Sequence, residues 1–172
     1  MFGSISTRDY KLMKRVHQWS APRWFRVWMI SATRGGDGWL WAAIAPLVLA
    51  FGGASRYPAL GSAGLAAACG IALFLSLKKA TGRKRPCDLE PHCWNKLLPP
   101  DRFSFPSGHS MTAFAVAVSL GLFYPAVMIG LLFCSCSIAA SRVALGMHFL
   151  SDVVAGSLIG TGLGYASFRL LQ

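Results

Sequence analysis

The spacing of charged residues constrains this chain more than any other feature. Residues 38–55, 57–77, 103–141 and 153–168 contain no Asp, Glu, Lys or Arg. A helix that crosses the apolar core of a bilayer needs about 20 residues of this kind. The third stretch is long enough for two such helices, and the step from Phe123 to Pro125 suits a turn between them. The pattern therefore predicts an integral membrane protein.

The apolar stretches predict an all-α fold, a polytopic helical bundle in a single domain over 1–172. With 54% hydrophobic and only 13% charged residues, the composition is that of a membrane protein. Glycines are frequent in the last predicted helix, as in membrane helices that pack closely; they are Gly156, Gly160, Gly162 and Gly164. Five transmembrane helices are predicted, at about 38–54, 58–77, 107–122, 126–144 and 152–170.

The first 36 residues carry a different pattern. On a helical wheel, residues 8–19 place Arg8, Lys11 and Lys14 on one side and apolar residues on the other. Such a helix prefers to lie in the membrane surface, so 1–36 is predicted to be an interfacial amphipathic segment. Residues 20–33 are expected to continue along the interface or to insert shallowly. No signal peptide is recognised, because this basic segment lacks an apolar core of its own.

The net charge of +11 raises the question of nucleic-acid binding. That function needs a soluble basic face, whereas the basic residues here lie between apolar helices. Contact with anionic lipid head groups explains the charge better. No nucleic-acid partner is therefore predicted, and the sequence carries no signal for an oligomeric state.

The polar clusters that border the predicted helices all fall on one membrane face. The second helix ends at KKATGRKRP, residues 78–86, and the third begins at PSGH, residues 106–109. The fourth ends in SRVALGMH, residues 141–148, and the fifth opens at Asp152. Because successive helices alternate in direction, these four ends share one side of the bilayer. Ionisable groups at such positions are costly and are usually functional.

Three of these residues, Lys78, Arg85 and Arg142, suit an anionic ligand. The guanidinium fork matches the oxygens of a phosphate. Pro106 fits the first turn of a helix, so the Ser107 and Gly108 amides are expected to point out of a helix N-terminus, where anions bind.

The histidines suit nucleophilic and acid catalysis. His148 and Asp152 are four residues apart, so on a helix the carboxylate can hold one imidazole nitrogen and leave the other free to attack. His109 supplies a second imidazole as general acid. A metal site is disfavoured, because the nearby carboxylate is suited to orienting His148 and the cations would repel a metal.

These clusters resemble, in order and spacing, the signature of the type 2 phosphatidic acid phosphatase superfamily. The first motif, K-x6-R-P, is present as Lys78, Arg85 and Pro86, and the second, P-S-G-H, spans residues 106–109. The third, S-R-x5-H-x3-D, is present as Ser141, Arg142, His148 and Asp152. All eleven fixed positions are found between residues 78 and 152. The resemblance implies the branch of membrane lipid phosphatases, related to bacterial phosphatases of phosphatidylglycerophosphate and undecaprenyl diphosphate.

The resemblance also implies a role for each motif residue and no metal or other cofactor. His148 would attack phosphorus and form a phosphohistidine, Asp152 would orient it, and His109 would protonate the leaving oxygen. The phosphoryl oxygens would be held by five residues and the site supported by three more: Lys78, Arg85, Ser107, Gly108 and Arg142 for binding, and Pro86, Pro106 and Ser141 for support.

One departure concerns the membrane topology. Membrane members of the family usually have six transmembrane helices. Their active site lies on the side of the bacterial inner membrane that faces away from the cytoplasm. Here the first helix is replaced by the amphipathic segment, and 15 of the 17 basic residues fall on the active-site face. Positive charge favours the cytoplasmic side, so the charge bias predicts a cytoplasmic-facing site while the resemblance implies a periplasmic one.

Several functions and substrates stay open at this point. The leading hypothesis is hydrolysis of a lipid phosphate that enters sideways from the bilayer. The substrate would be a polyprenyl phosphate or diphosphate, phosphatidylglycerophosphate, phosphatidic acid or a polyprenyl-linked sugar phosphate. The alternatives are phosphotransfer from the same phosphohistidine and a non-catalytic lipid-binding protein. The loop 87–102 is expected to influence the choice, and Trp94, Phe103 and Phe105 are either a gate or ordinary interfacial aromatics. A disulfide between Cys87 and Cys93 requires an oxidising compartment.

Overall fold

The computed structural model describes residues 6–89 and 103–172, and every described element is a helix. Two short helices come first, α1 (Thr7–Gln18) and α2 (Arg23–Arg34), and a wide helical turn at Gly35–Trp39 leads into α3 (Leu40–Phe51). The long helix α4 (Arg56–Thr81) is followed by the single turn α5 (Pro86–Leu89). The remaining helices are α6 (Gly108–Phe123), α7 (Met128–Ala144) and α8 (Leu150–Leu171).

The five predicted apolar segments coincide with α3, α4, α6, α7 and α8. The Pro125 break also lies where it is expected, in a short helical turn between α6 and α7. Two helical stretches, Gly53–Leu89 and Pro125–Ala144, are long and apolar enough to cross a membrane, and Gly108–Phe123 is a shorter apolar helix. The all-helical fold is thus confirmed.

Helix α6 lies at the centre of the bundle, packed against α4, α7 and α8. Its neighbours approach closely because the buried residues are small; Ala59, Ala63 and Ala117 pack together at one contact. Many large apolar side chains lie on the outside, and Phe51 and Ile129 are 83% and 84% exposed. Small residues inside and large apolar residues outside are the arrangement of helices that pack within lipid, as in a membrane protein.

Three of the predicted glycines form the seam between α6 and α8. A Cβ atom at Gly156 would lie 2.5 Å from the Ser107 carbonyl oxygen, and one at Gly164 would lie 2.5 Å from that of Ala115. Gly160 is equally crowded by the backbone of Met111, whereas Gly162 faces open space. The seam brings the N-terminal ends of α6 and α8 into contact, where the Ser107 amide donates a hydrogen bond to the Asp152 carbonyl oxygen at 3.0 Å.

The N-terminal segment is helical and rests on the bundle. Ser6 caps helix α1: its side chain accepts a hydrogen bond from the Asp9 amide, and the helix buries Asp9 and Met13. Helix α2 packs on α7, where Trp28 stacks on Phe133 with ring centroids 6.0 Å apart. Helix α1 lies at the end of the bundle that carries the sequence motifs, and the C-terminal end of α2 reaches it through the contact of Thr33 with Arg142.

Candidate active site

The three motifs meet at one end of the bundle because of how the helices end. Helix α4 is followed by Gly82, which adopts a left-handed conformation with φ of 59°, as is common after a helix C-terminus. The Ser104 amide donates to the Arg83 carbonyl oxygen at 2.8 Å, and the Thr81 hydroxyl donates to the Phe105 carbonyl oxygen at 3.1 Å. The end of the first motif is thereby joined to the start of the second.

A tight turn after α7 fixes the position of His148. Gly146 has φ of 68°, a conformation that favours glycine. The chain reverses there, and the amides of Met147 and His148 both donate to the Arg142 carbonyl oxygen, at 3.0 and 3.1 Å. The third motif is therefore folded onto itself, with its arginine and its histidine joined through the backbone.

His148 is buried between an arginine and a carboxylate. Its Nε2 lies 3.3 Å from Nη1 of Arg85, which also donates to the Met147 carbonyl oxygen at 2.8 Å. A guanidinium group can only donate, so Nε2 carries the lone pair and Nδ1 carries the proton. Nδ1 lies 3.7 Å from Oδ2 of Asp152, within ion-pair range but too long for a hydrogen bond.

Asp152 is held by several other donors. Its Oδ2 accepts hydrogen bonds from the Ser104 hydroxyl and from the Phe149 amide, the latter at 2.8 Å. Its Oδ1 accepts from Nη1 of Arg83 at 2.5 Å. The carboxylate is completely buried and thus fixed in one orientation beside His148.

The imidazole of His148 has a strongly lowered pKa. Burial is the main cause; Asp152 opposes it, and the positive charges of Arg85 and Arg142 add to it, so the pKa falls to about 3. His148 is therefore neutral at physiological pH, and its Nε2 is unprotonated.

His109 lies in the first turn of α6 and is partly exposed. Its Nε2 is 2.7 Å from Oδ1 of Asp37, which belongs to the wide turn between α2 and α3. Since a carboxylate accepts, Nε2 of His109 donates in this pair. Gly36 lets the turn pass this close, because a Cβ atom there would lie 3.2 Å from Cδ2 of His109 and 2.8 Å from Cγ2 of Ile138.

The remaining cations lie between or beside the two histidines. Arg142 interacts electrostatically with both imidazoles, and its Nη1 donates to the Thr33 hydroxyl at 2.5 Å. The Lys78 ammonium lies 5.1 Å from the centroid of the Phe74 ring. Lys78, Arg85 and Arg142 are all buried.

A cavity of about 440 Å³ adjoins this end of the bundle. His109, Lys78 and Asp37 contribute its polar wall, and apolar residues of α3, α4 and α6, among them Trp41 and Phe74, line the rest. His148 does not line this cavity and lies deeper. The structure thus brings His148, Asp152 and Arg85 into direct contact and places His109, Gly108 and Lys78 at the cavity.

Two residues of the second motif differ from the sequence expectation in what they contact. The Ser107 amide donates to the Asp152 carbonyl oxygen and does not point out of the helix, while the Ser107 side chain caps α6. At Gly108, a Cβ atom would lie 3.1 Å from the Phe74 ring. The Gly108 backbone therefore lies against Phe74 on one side, where α4 and α6 are in close contact, and it lines the cavity on the other.

The supporting residues are buried within the local structure. Pro86 begins α5, and Pro106 follows a cis peptide bond at Phe105. The Ser141 hydroxyl donates to the Ile138 carbonyl oxygen of its own helix at 2.6 Å. Glu90, His92, Cys93 and Trp94 lie outside the described residues, and with them the proposed disulfide and most of the loop 87–102.

Four contact residues lie outside the sequence predictions. Asp37 binds His109, Thr33 binds Arg142, and Arg83 and Ser104 bind Asp152. The sequence offers one signal for Asp37, a single acid within GGDG at the border of an apolar stretch. Arg83 lies inside the spacer of the first motif, whereas Thr33 and Ser104 carry no signal that distinguishes them from ordinary polar residues.

Comparison with known proteins identifies the family to which the chain belongs. A sequence profile described as the PAP2 superfamily matches residues 59–172. Along the whole fold, the crystal structure of Aquifex aeolicus LpxE superposes with a TM-score of 0.79 and 25% identity, covering 97% of this chain and 98% of that one. The matched family and the all-helical architecture together define a membrane phosphatase, and the chain belongs to the PAP2 superfamily.

Curated relatives carry lipid phosphatase names. The lipid A 1-phosphatase of Rhizobium etli is 33% identical over 105 residues, which are 55% of this chain and 45% of that protein. A decaprenylphosphoryl-5-phosphoribose phosphatase of Mycobacterium tuberculosis is 30% identical over 144 residues, 79% of this chain and 77% of that protein. This chain thus matches less than half of the rhizobial relative.

Proposed function

We propose that this protein is a metal-independent phosphohydrolase that removes phosphate from a membrane lipid phosphate or diphosphate through a phosphohistidine at His148. The observation that carries the proposal is the pair of contacts around the His148 ring. Arg85 marks the position beside Nε2 where a phosphoryl oxygen would bind, and Asp152 faces Nδ1. Family membership and the names of the relatives support the reaction class.

In the first half-reaction, Nε2 of His148 attacks phosphorus and the bond to the leaving oxygen breaks. The imidazole becomes positively charged as this bond forms, and the carboxylate of Asp152 stabilises that charge through Nδ1–H. Arg85, Arg142 and Lys78 would balance the negative charge on the three phosphoryl oxygens. The lowered pKa of His148 keeps the nucleophile unprotonated before substrate binds.

His109, with both ring nitrogens protonated, would provide the proton for the leaving oxygen and become neutral. Its Nε2–H is directed at Asp37, and we propose that the leaving oxygen takes the place of this carboxylate as acceptor. In the second half-reaction His109 removes a proton from water, and the resulting hydroxide attacks the phosphohistidine and releases phosphate. Over the full cycle, His109 gives one proton to the leaving oxygen and takes one proton from water.

The cavity supports a lipid substrate. One wall is apolar and the other carries Lys78 and His109, so an acyl or prenyl chain would lie along α3 and α4 with its phosphate at the polar wall. The name of the mycobacterial relative specifies a phosphorylated ribose on decaprenyl phosphate. A polyprenyl-linked sugar phosphate is therefore the substrate to test first, ahead of phosphatidylglycerophosphate, phosphatidic acid and polyprenyl diphosphate.

The membrane arrangement is part of the proposal. Helices α3, α4, α6, α7 and α8 would cross the bilayer as one domain over 1–172, and α1 would lie in the interface on the active-site side. Contacts of α1 with α7 and α8 support this position. The distribution of basic residues favours a cytoplasmic-facing site in the inner membrane, whereas the family resemblance implies a periplasmic one.

Purified protein in detergent, given a panel of these lipids, tests the function directly. We expect phosphate release that is unaffected by EDTA, and a phosphoenzyme in acid-sensitive, alkali-stable form after rapid quenching. No release from any lipid would contradict the proposal. Loss of activity on chelation would contradict its metal-independent form, and transfer of label to an added alcohol in place of water would favour phosphotransfer.

A further inference from the structure

A buried chain of ionic contacts connects helix α1 with Asp152. Oδ2 of Asp9 accepts a hydrogen bond from Nη2 of Arg83 at 2.8 Å, and Nη1 of the same arginine donates to Oδ1 of Asp152 at 2.5 Å. The three side chains are 6%, 3% and 0% exposed. Neither Asp9 nor Arg83 is a fixed position of the three motifs.

The planar fork of Arg83 allows one side chain to hold two carboxylates. Its guanidinium group also lies over the Phe149 ring, 4.7 Å from the ring centroid. The backbone of Arg83 is fixed as well, since it follows the turn at Gly82 and accepts the hydrogen bond from Ser104. The contacts of the Arg83 side chain and those of its backbone therefore both fix the position of its guanidinium group.

Asp9 is bound to α8 as well as to Arg83. Ser151, which precedes Asp152, donates to Asp9 twice, from its hydroxyl at 2.6 Å and from its amide at 3.2 Å. Burial raises the pKa of Asp9, but the hydrogen bonds from Ser151 and Arg83 outweigh it, so the pKa lies below its usual value. Asp9 is therefore a carboxylate at neutral pH.

This arrangement affects the charge on Asp152. An arginine bound to Asp152 alone would withdraw charge from the carboxylate and weaken its support of a positive imidazole at His148. Because Arg83 is shared with Asp9, part of its charge is balanced by a second acid. The orientation of Asp152 and its strength as an acceptor thus both depend on the contact with α1.

We propose that Arg83 and Asp9 are positioning residues for phosphoryl transfer at His148. Arg83 fixes the carboxylate of Asp152, and Asp9 fixes and balances Arg83, so that the amphipathic helix α1 must be seated on the bundle for full activity. The inference rests on the proposed roles of His148 and Asp152. It extends the active site to a helix that the sequence motifs do not include.

Three variants test the proposal: Arg83→Lys, Asp9→Asn and the double variant. Lysine keeps a buried positive charge but cannot hold two carboxylates, so we expect kcat to fall about tenfold to a hundredfold with KM nearly unchanged. Asp9→Asn is expected to lower kcat about three- to tenfold. The double variant should be no slower than Arg83→Lys, because the two residues act as one unit. Lys11→Gln, on the exposed side of α1, is the matched control.

The readouts separate this inference from the proposed function. Wild-type protein without phosphatase activity would overturn the proposed function and the inference with it. An active wild type with kcat unchanged in Asp9→Asn would overturn the inference alone, as would a raised KM at constant kcat or multiplicative losses in the double variant. If Arg83→Lys does not fold, the kcat of Asp9→Asn relative to Lys11→Gln decides the question.

Discussion

The two histidines of the site differ in their burial and in how firmly their contacts hold them. His148 is 2% exposed and lies in a turn held by backbone hydrogen bonds. The neighbouring carboxylate of Asp152 is fixed by Ser104, Phe149 and Arg83. His109 is partly exposed, faces the cavity and is held by Asp37, which is itself half exposed. A nucleophile gains from a fixed geometry, whereas a general acid must exchange its partner for the leaving oxygen. The difference in burial therefore matches the difference in proposed role.

Removal of the buried histidine is expected to have the largest effect. His148→Ala should abolish both phosphate release and phosphoenzyme formation, because no other described residue can take the place of Nε2 beside Arg85. The measurement is phosphate release from the best lipid of the panel, with labelled phosphoenzyme as a second readout. Arg169→Gln, at the far end of α8, is the control and should retain full activity. Substantial turnover by a folded His148→Ala protein would show that His148 is not the nucleophile.

Removal of the exposed histidine should produce a smaller loss that depends on the substrate. General acid catalysis typically contributes about 10²- to 10⁴-fold, and it matters most where the leaving oxygen is strongly basic. His109→Ala should therefore slow hydrolysis of an alkyl phosphate far more than that of a nitrophenyl phosphate. An equal loss on both esters would show that His109 binds or positions the phosphate and does not supply a proton.

The Asp37 carboxylate tests the partner exchange at His109. Asp37→Asn keeps the shape but weakens the hydrogen bond that Nε2 of His109 donates, so we expect kcat to fall about three- to tenfold on poor leaving groups. The measurement is the same pair of esters. Arg56→Gln, at the opposite end of the bundle, serves as control. An Asp37→Asn protein as active as the wild type would indicate that this contact is structural only.

The last expected effect is on stability in acid and not on activity. Because the pKa of His148 falls from 6.5 to about 3 on folding, the unfolded state binds more protons than the native state between these values. Stability should therefore decline as the pH falls from 6.5 towards 3, by about 2 kcal/mol from this group between pH 7 and pH 5. Thermal unfolding in detergent measures it: His148→Gln should show a shallower loss of Tm with acid than the wild type. Parallel curves would contradict the lowered pKa.

Much of the fold could be predicted because the bilayer imposes a simple rule on the sequence. Charge-free stretches located α3, α4, α6, α7 and α8 to within a few residues, and alternation of helix direction placed the three motifs at one end. The motif spacing then selected His109, His148 and Asp152. These predictions depend on periodicity and on local sequence, both of which a single chain displays.

What could not be predicted depends on contacts between distant segments. Asp9 lies in the segment interpreted as interfacial, and Asp37 lies at the border between that segment and the first predicted transmembrane helix. Their partners Arg83 and His109 are 74 and 72 positions away. The contacts of the Ser107 amide with Asp152 and of Gly108 with Phe74 likewise join different helices. Such pairings arise from helix packing, which the sequence pattern does not specify.

The glycine seam of α8 has a consequence for how the site can vary. Gly156 lies one turn beyond Asp152, and any side chain there would meet the Ser107 carbonyl oxygen. The distance between the helix of His109 and the helix of Asp152 is thus set by three residues that have no side chain at all. These glycines set the spacing of the catalytic groups. A methyl group added at Gly156 would increase the distance between α6 and α8 and would separate His109 from His148, although every reactive side chain would still be present.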